Sequence, residues 1–226
     1  MIMSIADKLD SIKATLSQGV ELVAVSKYHP VEDILEAYRI GQRIFGENIV
    51  QELREKQPQM PKDVQWHFIG HLQTNKIKYI APFVSLIHSV DSVKLLNEIN
   101  RQAMKCGRVI DCLLQIHVAK EETKFGFSID ECRQMLQEGA WRNLSGLRLC
   151  GVMCMASYTD DAAQVRAEFK SVYDFFVESK ALYFAEAPEF SIRCYGMSHD
   201  YTIAIEEGSN MVRIGTAIFG PRQLII

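Results

Sequence analysis

The stretch ELVAVSKYHP, residues 21–30, is an apolar run that ends in a lysine shortly before a proline. Its nearly continuous apolar character is typical of a parallel strand that is buried on both faces. Pro30 is suited to the first turn of a helix, so the run predicts a strand followed directly by a helix. Lys27 then lies at the point where the buried strand ends.

An amine at the end of an apolar strand suggests a chemical use, and the natural one is a covalent bond to a carbonyl carbon. That bond needs a neutral amine, whereas a free lysine side chain titrates near about 10.4. Burial or a nearby cation favours the neutral form. Taken alone, Lys27 is more simply interpreted as a strand-end lysine whose side chain reaches out into water.

The far end of the chain, residues 196–220, reads GMSHDYTIAIEEGSNMVRIGTAIFG and contains two turns of small residues. Ser198 precedes a helical pattern, and a hydroxyl with free backbone N–H groups at a helix start can hold an anion. Arg213 adds a fixed positive charge, Gly215 allows close approach of the backbone, and Thr216 adds a second hydroxyl. Each feature alone fits an ordinary cap or strand break. Together with the lysine, they indicate a ligand with a carbonyl and an anionic group.

Composition limits the other classes of function. The chain has 226 residues, 48% of them hydrophobic, and no linker or repeat divides it, so we expect a single domain over residues 1–226. A formal net charge of −3 without a basic block argues against nucleic acid as a partner. No apolar stretch approaches the roughly 20 residues that span a bilayer, and no signal peptide is recognisable, so we expect a cytoplasmic protein with no membrane contact.

Apolar runs alternate with helical patterns along the whole chain. Strands are predicted at residues 20–27, 43–47, 65–70, 85–90, 110–118, 147–155, 189–196 and 211–220. Helices are predicted at residues 30–41, 48–57, 74–82, 91–106, 128–139, 160–181 and 200–208. Eight buried strands alternating with helices predict an α/β fold, a single (β/α)₈ barrel of the TIM type. A doubly wound open sheet is the alternative, but its G-x-G-x-x-G turn is absent from the sequence.

In such a barrel the chemistry gathers at the carboxyl ends of the strands, and phosphate is commonly held after strands seven and eight. Lys27 ends the first predicted strand, Ser198 follows the seventh, and Gly215 interrupts the eighth. Because the first and eighth strands become neighbours when the barrel closes, we expect the lysine to meet the anion site.

The chain resembles the YggS-like, or PROSC-like, family of pyridoxal phosphate homeostasis proteins. The motifs of that family occur in the same order over nearly the whole chain. They are AVSKYHP, FGENIVQE, WHFIGHLQTNK, HSVDS, GVMCMAS, GMSHDYTIAI and GSNMVRIGTAIFG. It implies the barrel of the alanine racemase cofactor domain, a fold type III pyridoxal phosphate (PLP) barrel, here without the second β domain. It also implies that Lys27 forms the internal aldimine with PLP and that Ser198, Gly215 and Thr216 hold the phosphate.

The remaining residues carried over by the resemblance surround the cofactor ring. Arg213 would lie beside the pyridine nitrogen and Asn48 near the ring hydroxyl, while Met197 and Ile69 would pack against the ring. An arginine leaves the pyridine nitrogen unprotonated, so carbanion chemistry is weakly supported. His71 and His199 stand where relatives often have proline and aspartate.

The resemblance therefore implies a PLP-binding protein that buffers or delivers the cofactor with little or no turnover. Expected partners are the cofactor and PLP-dependent apoenzymes, and we expect a monomer or a weak dimer. A PLP-dependent amino-acid racemase is the first alternative, although no tyrosine or cysteine is placed by motif as the second acid or base. A Schiff-base aldolase of a sugar phosphate is the second.

Other side chains have weaker claims on the site. We expect no metal, since His67 and His71 in a strand would not share a site reliably. His67 is expected to point into the barrel mouth and His71 to lie at its rim, while Lys124 could face the open side of the cofactor. The six cysteines lack C-x-x-C spacing, so we expect thiols that behave as small buried hydrophobes, without zinc or disulfides.

Overall fold

Eight parallel strands close into a barrel, in the order β1 to β8, with β8 pairing back onto β1. The structure is a computed structural model that describes residues 3–119 and 125–221. The predicted (β/α)₈ barrel is thereby confirmed, and the doubly wound alternative is wrong. The strands are β1 (Glu21–Val25), β2 (Ile44–Glu47), β3 (Gln65–Phe68), β4 (Leu86–Val90), β5 (Ile110–His117), β6 (Leu147–Met155), β7 (Ile192–Cys194) and β8 (Met211–Ile214).

Helices cover the outside of the barrel. Their apolar faces pack with the outward side chains of the strands into one large core, while a smaller cluster fills the barrel interior. Burial on both faces explains why the strands read as continuous apolar runs. The α-helices are α1 (Ile5–Thr15), α2 (Val31–Arg39), α3 (Val50–Lys56), α4 (Val93–Lys105), α5 (Ile129–Glu138), α6 (Ala162–Tyr183), α7 (Tyr201–Glu206) and α8 (Thr216–Phe219).

Three predicted elements differ from the structure, which also contains one helix without a predicted counterpart. The first helix, α1, was not predicted, although Ser4 and Asp7 form a capping box that starts it. Residues 74–82 were predicted as an ordinary helix, but a short 3₁₀ helix occupies Thr74–Tyr79. The seventh strand is limited to three residues. The eighth strand stops at Ile214, because the chain turns at Gly215 into α8 instead of continuing as a strand.

Within the described part of the chain, none of the helices combines the length and apolarity that crossing a membrane would require.

Candidate functional site

Lys27 lies in a tight turn directly after β1, at the carboxyl end of the barrel, and is half-buried. The next residue, Tyr28, has a φ of 64°, the one positive value for a non-glycine residue among residues 3–119 and 125–221. Such a backbone conformation is unfavourable for tyrosine by about 1–3 kcal/mol and persists only where neighbouring groups hold it. The turn that presents the lysine is therefore imposed by its surroundings.

A buried salt-bridge cluster supplies part of that support. The Lys56 amine, which is 5% exposed, donates to the backbone oxygen of Ser26 at 2.8 Å and to Glu47 Oε1 at 2.8 Å. The Ser26 hydroxyl donates to the same Glu47 oxygen at 2.7 Å. These contacts fix the residue that immediately precedes Lys27.

Glu52 continues the cluster on the other side of the lysine. Its Oε1 accepts from the Lys56 amine at 2.6 Å and from the backbone N–H of Tyr28 at 2.5 Å. Ser26 and Tyr28, the two neighbours of Lys27 in the chain, are thus both tied to one charged cluster behind the turn. Nothing in the sequence indicates this cluster, because Glu47, Glu52 and Lys56 have the pattern of ordinary helix and strand-end charges.

Glu47 is the most buried member of the cluster, with no exposed surface. Burial raises the pKa of its carboxyl to about 7, and the neighbouring Lys56 ammonium opposes that rise. Its second oxygen, Oε2, is buried without a hydrogen-bond partner. The carboxylate therefore depends strongly on Lys56 for its charge.

Arg213 lies inside the barrel on β8 and is almost completely buried. Its guanidinium donates to the backbone oxygens of Cys194 and Cys154, both at 2.9 Å, and to the Cys194 sulfur at 3.0 Å. No salt bridge pairs Arg213 with a carboxylate in the described part of the chain. The barrel interior therefore holds a rigid positive charge that is compensated by neutral dipoles.

Two histidines lie in the same interior layer. His88 Nε2 is 3.0 Å from His67 Nδ1, and His88 Nδ1 is 3.3 Å from the Cys194 sulfur. Burial lowers the pKa of His67 to about 3 and holds the pKa of His88 well below its usual value. Both rings are therefore neutral at physiological pH and connect Arg213 to the opposite wall through Cys194.

The strand ends that carry the predicted anion site meet β1. A Cβ added to Gly215 would lie 3.0 Å from the Val25 backbone oxygen, so the backbones of the two turns nearly touch. The Arg213 N–H donates to the Gly196 oxygen at 3.0 Å, which ties β8 to the end of β7. Gly196 has a φ of 94°, in the region that favours glycine, and leads into the turn that holds Ser198.

The turn after β7 contains Met197 and Ser198, both half-buried. The Asp200 carboxylate accepts from the Met197 N–H at 2.6 Å and so fixes its shape. Thr216 is the exposed first residue of α8. Hydroxyls from two loops therefore lie at the same end of the barrel as the lysine.

Asn48 and Ile69 follow β2 and β3 at the same end. The Ser26 N–H donates to the Gly46 oxygen at 3.0 Å and the Ile69 N–H to the Glu47 oxygen at 2.9 Å, so these loops continue the ring from β1. Asn48 Oδ1 is buried and has no hydrogen-bond partner among the described residues. An unsatisfied buried amide oxygen marks a place where a bound polar molecule fits.

Seven of the eight residues predicted for the site thus lie just beyond the strand ends at the carboxyl end of the barrel, from β7 through β8 and β1 to β3, and Arg213 lies on β8 just inside that end. His67 is inside the barrel, below that end. His71 lies at the rim, half-exposed, 3.2 Å from Asp91 and stacked on Phe125 with a ring separation of 3.8 Å. His199 is also at the rim, edge-on to Tyr158. Lys124 lies outside the described residues.

One polar residue at this end was not identified from the sequence. His117 is the last residue of β5, and its Nε2 is buried without a hydrogen-bond partner in the part of the chain that the structure describes. In the sequence it is a single histidine after an apolar run, which carries no distinctive signal.

Comparison with known proteins agrees with this geometry. The family model described as the alanine racemase N-terminal domain matches residues 2–223. The fold and the site thus define a barrel of the alanine racemase N-terminal-domain class. The pyridoxal phosphate homeostasis protein of Aquifex aeolicus (strain VF5) is 38% identical over 204 residues, covering 90% of this chain and 87% of the relative. The chain belongs to the family of pyridoxal phosphate homeostasis proteins, which confirms the resemblance seen in its motifs.

Solved structures are also similar to this chain. PipY of Synechococcus elongatus PCC7942, solved with PLP bound, has a TM-score of 0.86 and 35% identity, covering 96% of this chain and 100% of PipY. Alanine racemase of Clostridium difficile 630 has a TM-score of 0.75 and 17% identity, covering 95% of this chain and 56% of the racemase. The racemase likeness shows a shared barrel fold.

Proposed function

We propose that this chain binds PLP through a covalent bond from the Lys27 amine to the aldehyde carbon, and that it buffers or delivers the cofactor. The observation that carries the proposal is the β1–β8 contact, where the turn after Lys27's strand meets Gly215 at close range. A ligand with an aldehyde and a phosphate can reach both groups there. The family membership and the PLP-bound PipY relative support the same ligand.

The residues at the phosphate end fit an anion. Ser198 and Thr216 offer hydroxyl donors, and Gly215 leaves the backbone open to close approach. We propose that these three residues hold the phosphate.

The residues around the ring fit the rest of the cofactor. We propose that Arg213 lies beside the pyridine nitrogen, that Asn48 hydrogen-bonds the ring hydroxyl, and that Ile69 and Met197 pack against the ring faces. The buried, unpartnered Asn48 Oδ1 supports this arrangement, since a bound polar group would satisfy it. PLP acts as an electron sink when bound, and a guanidinium at its nitrogen weakens that capacity.

The experiment is the absorption spectrum of the purified protein after incubation with PLP. We expect a visible band that borohydride bleaches, and a mass increase located on the peptide that contains Lys27. Lys27→Ala should lose both signals, while Lys105→Ala, an exposed lysine at the end of α4, should keep them. A wild-type protein without a borohydride-sensitive band would refute PLP binding through this lysine.

The same trapping experiment separates the aldolase alternative, because a sugar phosphate adds a different mass from PLP. A racemase is tested by exchange of the α-proton of alanine or serine in deuterated water. Fast exchange that disappears in Lys27→Ala would favour the enzyme over the carrier. We also propose a cytoplasmic location, PLP-dependent apoenzymes as recipients, and a monomer or weak dimer, which sedimentation of the loaded protein would measure.

A further inference from the structure

The side chain of His117 points into the barrel interior, toward the mouth. On β5, Leu113 belongs to the interior cluster, while Leu114 and Ile116 belong to the outer core. Because side chains alternate between the two faces of a strand, Gln115 and His117 share the interior face with Leu113. His117 is the last residue of that row and therefore lies closest to the carboxyl end.

The topology places His117 opposite Lys27. The barrel closes in the order β1 to β8, so β5 lies four strands from β1 in either direction. An eight-stranded barrel is just wide enough for side chains or one small ligand. A molecule attached to the lysine at the mouth is therefore enclosed between β1 on one side and β5 on the other.

His117 is held firmly by the segment that follows the loop after β5. Its N–H donates to the Phe127 oxygen at 2.8 Å, and the Gln115 amide donates to the Phe125 oxygen at 2.7 Å. A Cβ added to Gly126 would lie 2.9 Å from the backbone nitrogen of His117 and 3.2 Å from the His117 Cβ. The backbone thus packs directly on the histidine and limits its movement.

One ring nitrogen of His117, Nε2, nonetheless has no hydrogen-bond partner among residues 3–119 and 125–221. Nε2 is buried, and a buried polar atom that makes no hydrogen bond destabilises the fold. The other interior histidines, His67 and His88, bond to each other, and His71 at the rim is paired with Asp91. Among residues 3–119 and 125–221, His117 thus has a buried ring nitrogen that a molecule bound at the mouth can satisfy.

We infer that His117 is the acid–base group that controls release of the bound aldehyde from Lys27. The inference rests on the proposed function. The oxygen of one water forms a bond to the carbon held by Lys27, and His117 Nε2 accepts one proton from that water. The electron pair of the carbon–nitrogen π bond moves to the Lys27 nitrogen, which takes up that proton from His117. The remaining carbon–nitrogen bond then breaks with its electron pair on the Lys27 nitrogen, while the hydroxyl on the carbon loses the second water proton, which passes to the same nitrogen, and becomes the aldehyde oxygen. One water is consumed, the aldehyde and the free amine are restored, and no oxidant or reductant is needed.

A histidine suits this role because its side chain exchanges protons near neutral pH. Lys27 cannot be the base, since its nitrogen carries the ligand. The Glu47 and Glu52 carboxylates lie behind the turn, bonded to Lys56. His117, across the mouth, is the base that we infer from this arrangement.

The test compares wild type, His117→Asn and His117→Gln after loading with PLP. Loaded protein is diluted, samples are treated with borohydride at intervals, and mass spectrometry gives the fraction of chains that still carry the ligand. A positioned acid or base typically contributes a factor of about 10²–10⁴ to a rate, so we expect at least a tenfold slower release in both variants.

An acid–base group changes forward and reverse rates equally, so loading should slow by the same factor and the fraction loaded at equilibrium should not change. If His117 only supported the structure of the site, its substitution would change the fraction of chains loaded at equilibrium. His71→Asn, the same change at the paired rim histidine, is the matched control and should release at the wild-type rate. In Lys27→Ala, which cannot form the bond, adding PLP should still shift the His117 ring resonances in NMR spectra.

Equal release rates in wild type and both His117 variants would overturn the inference, as would slower release accompanied by a changed equilibrium. A wild-type chain that traps no PLP would instead overturn the proposed function, so the two failures are distinguishable.

Discussion

Replacing Lys56 with methionine tests how much the buried charge cluster contributes to stability. The substitution keeps the length and apolar character of the side chain but removes the ammonium. Three hydrogen bonds are lost, to Ser26, Glu47 and Glu52, at 2.6–2.8 Å. Removing one partner of a buried ion pair costs about 3–5 kcal/mol, because the other charge remains buried and uncompensated. For a chain of this size that corresponds to a fall in Tm of about 6–20 °C.

The loss should depend on pH with a definite sign. The pKa of the Glu47 carboxyl is already raised from 4.5 to about 7 by burial, and Lys56 opposes that rise. Without the Lys56 ammonium, the pKa of the Glu47 carboxyl rises further. A raised pKa in the folded state means that the native protein keeps its stability below about pH 4.5, where the carboxyl is protonated in both states, and loses it as pH increases through 7. We therefore expect a larger destabilisation at pH 8 than at pH 5.

Urea unfolding at the two pH values measures both effects. Lys170→Met is the matched control, since Lys170 also pairs with an acidic residue four positions away, Asp174, but on the surface. Exposed pairs of that kind contribute about 0.3–0.5 kcal/mol. Adding Glu47→Gln to Lys56→Met should recover at least half of the loss, because no uncompensated Glu47 charge remains. A loss below about 1 kcal/mol at pH 8, or an equal loss at both pH values, would refute this account.

Three further predictions concern the barrel. Gly70→Ala places a Cβ 2.3 Å from the Asn48 backbone oxygen, so the loop that carries Asn48 must move. PLP affinity, measured by titration, should fall at least tenfold, about 1.4 kcal/mol, and an unchanged Kd would contradict the placement of Asn48 in the site. Burial lowers the pKa of His67 to about 3, so the stability that His67 contributes above about pH 6.5 is lost as pH falls. His67→Gln should reduce the slope of the free energy of unfolding against pH by up to about 1.4 kcal/mol per pH unit in acid, and an unchanged slope would contradict the lowered pKa. Of six free cysteines only Cys106 is exposed, so a thiol reagent should label one site quickly in the native protein and six after denaturation; fast labelling of a second thiol would contradict the burial of the others.

Much of the barrel could be predicted because each strand is buried on both faces and therefore reads as an apolar run. The same property hides where a strand ends, since apolar residues continue into α8 after Ile214. Helix α1 was missed because only Leu9 and Ile12 are buried on it, which leaves a weak apolar stripe. Local patterns thus predict the kind of element better than its limits.

The candidate site could be predicted where its residues lie in distinctive motifs around Lys27 and Arg213. Groups that act through contacts between distant segments could not. Lys56 is charged and lies on a helix, so nothing in the sequence distinguishes it from a surface lysine, although it is buried against Glu47. His117 depends likewise on barrel closure, which places β5 across from β1.

The pairing of β8 with β1 joins segments that are nearly two hundred residues apart in the chain. A partly folded chain in which this seam is open has Lys27 on one edge and Arg213 on the other, and so cannot offer both to one molecule. A ligand that contacts both Lys27 and Arg213 therefore binds only the closed barrel and favours it by mass action. Occupancy of the site would then report that the final strand has docked, and excess ligand would slow opening of the ring at that seam.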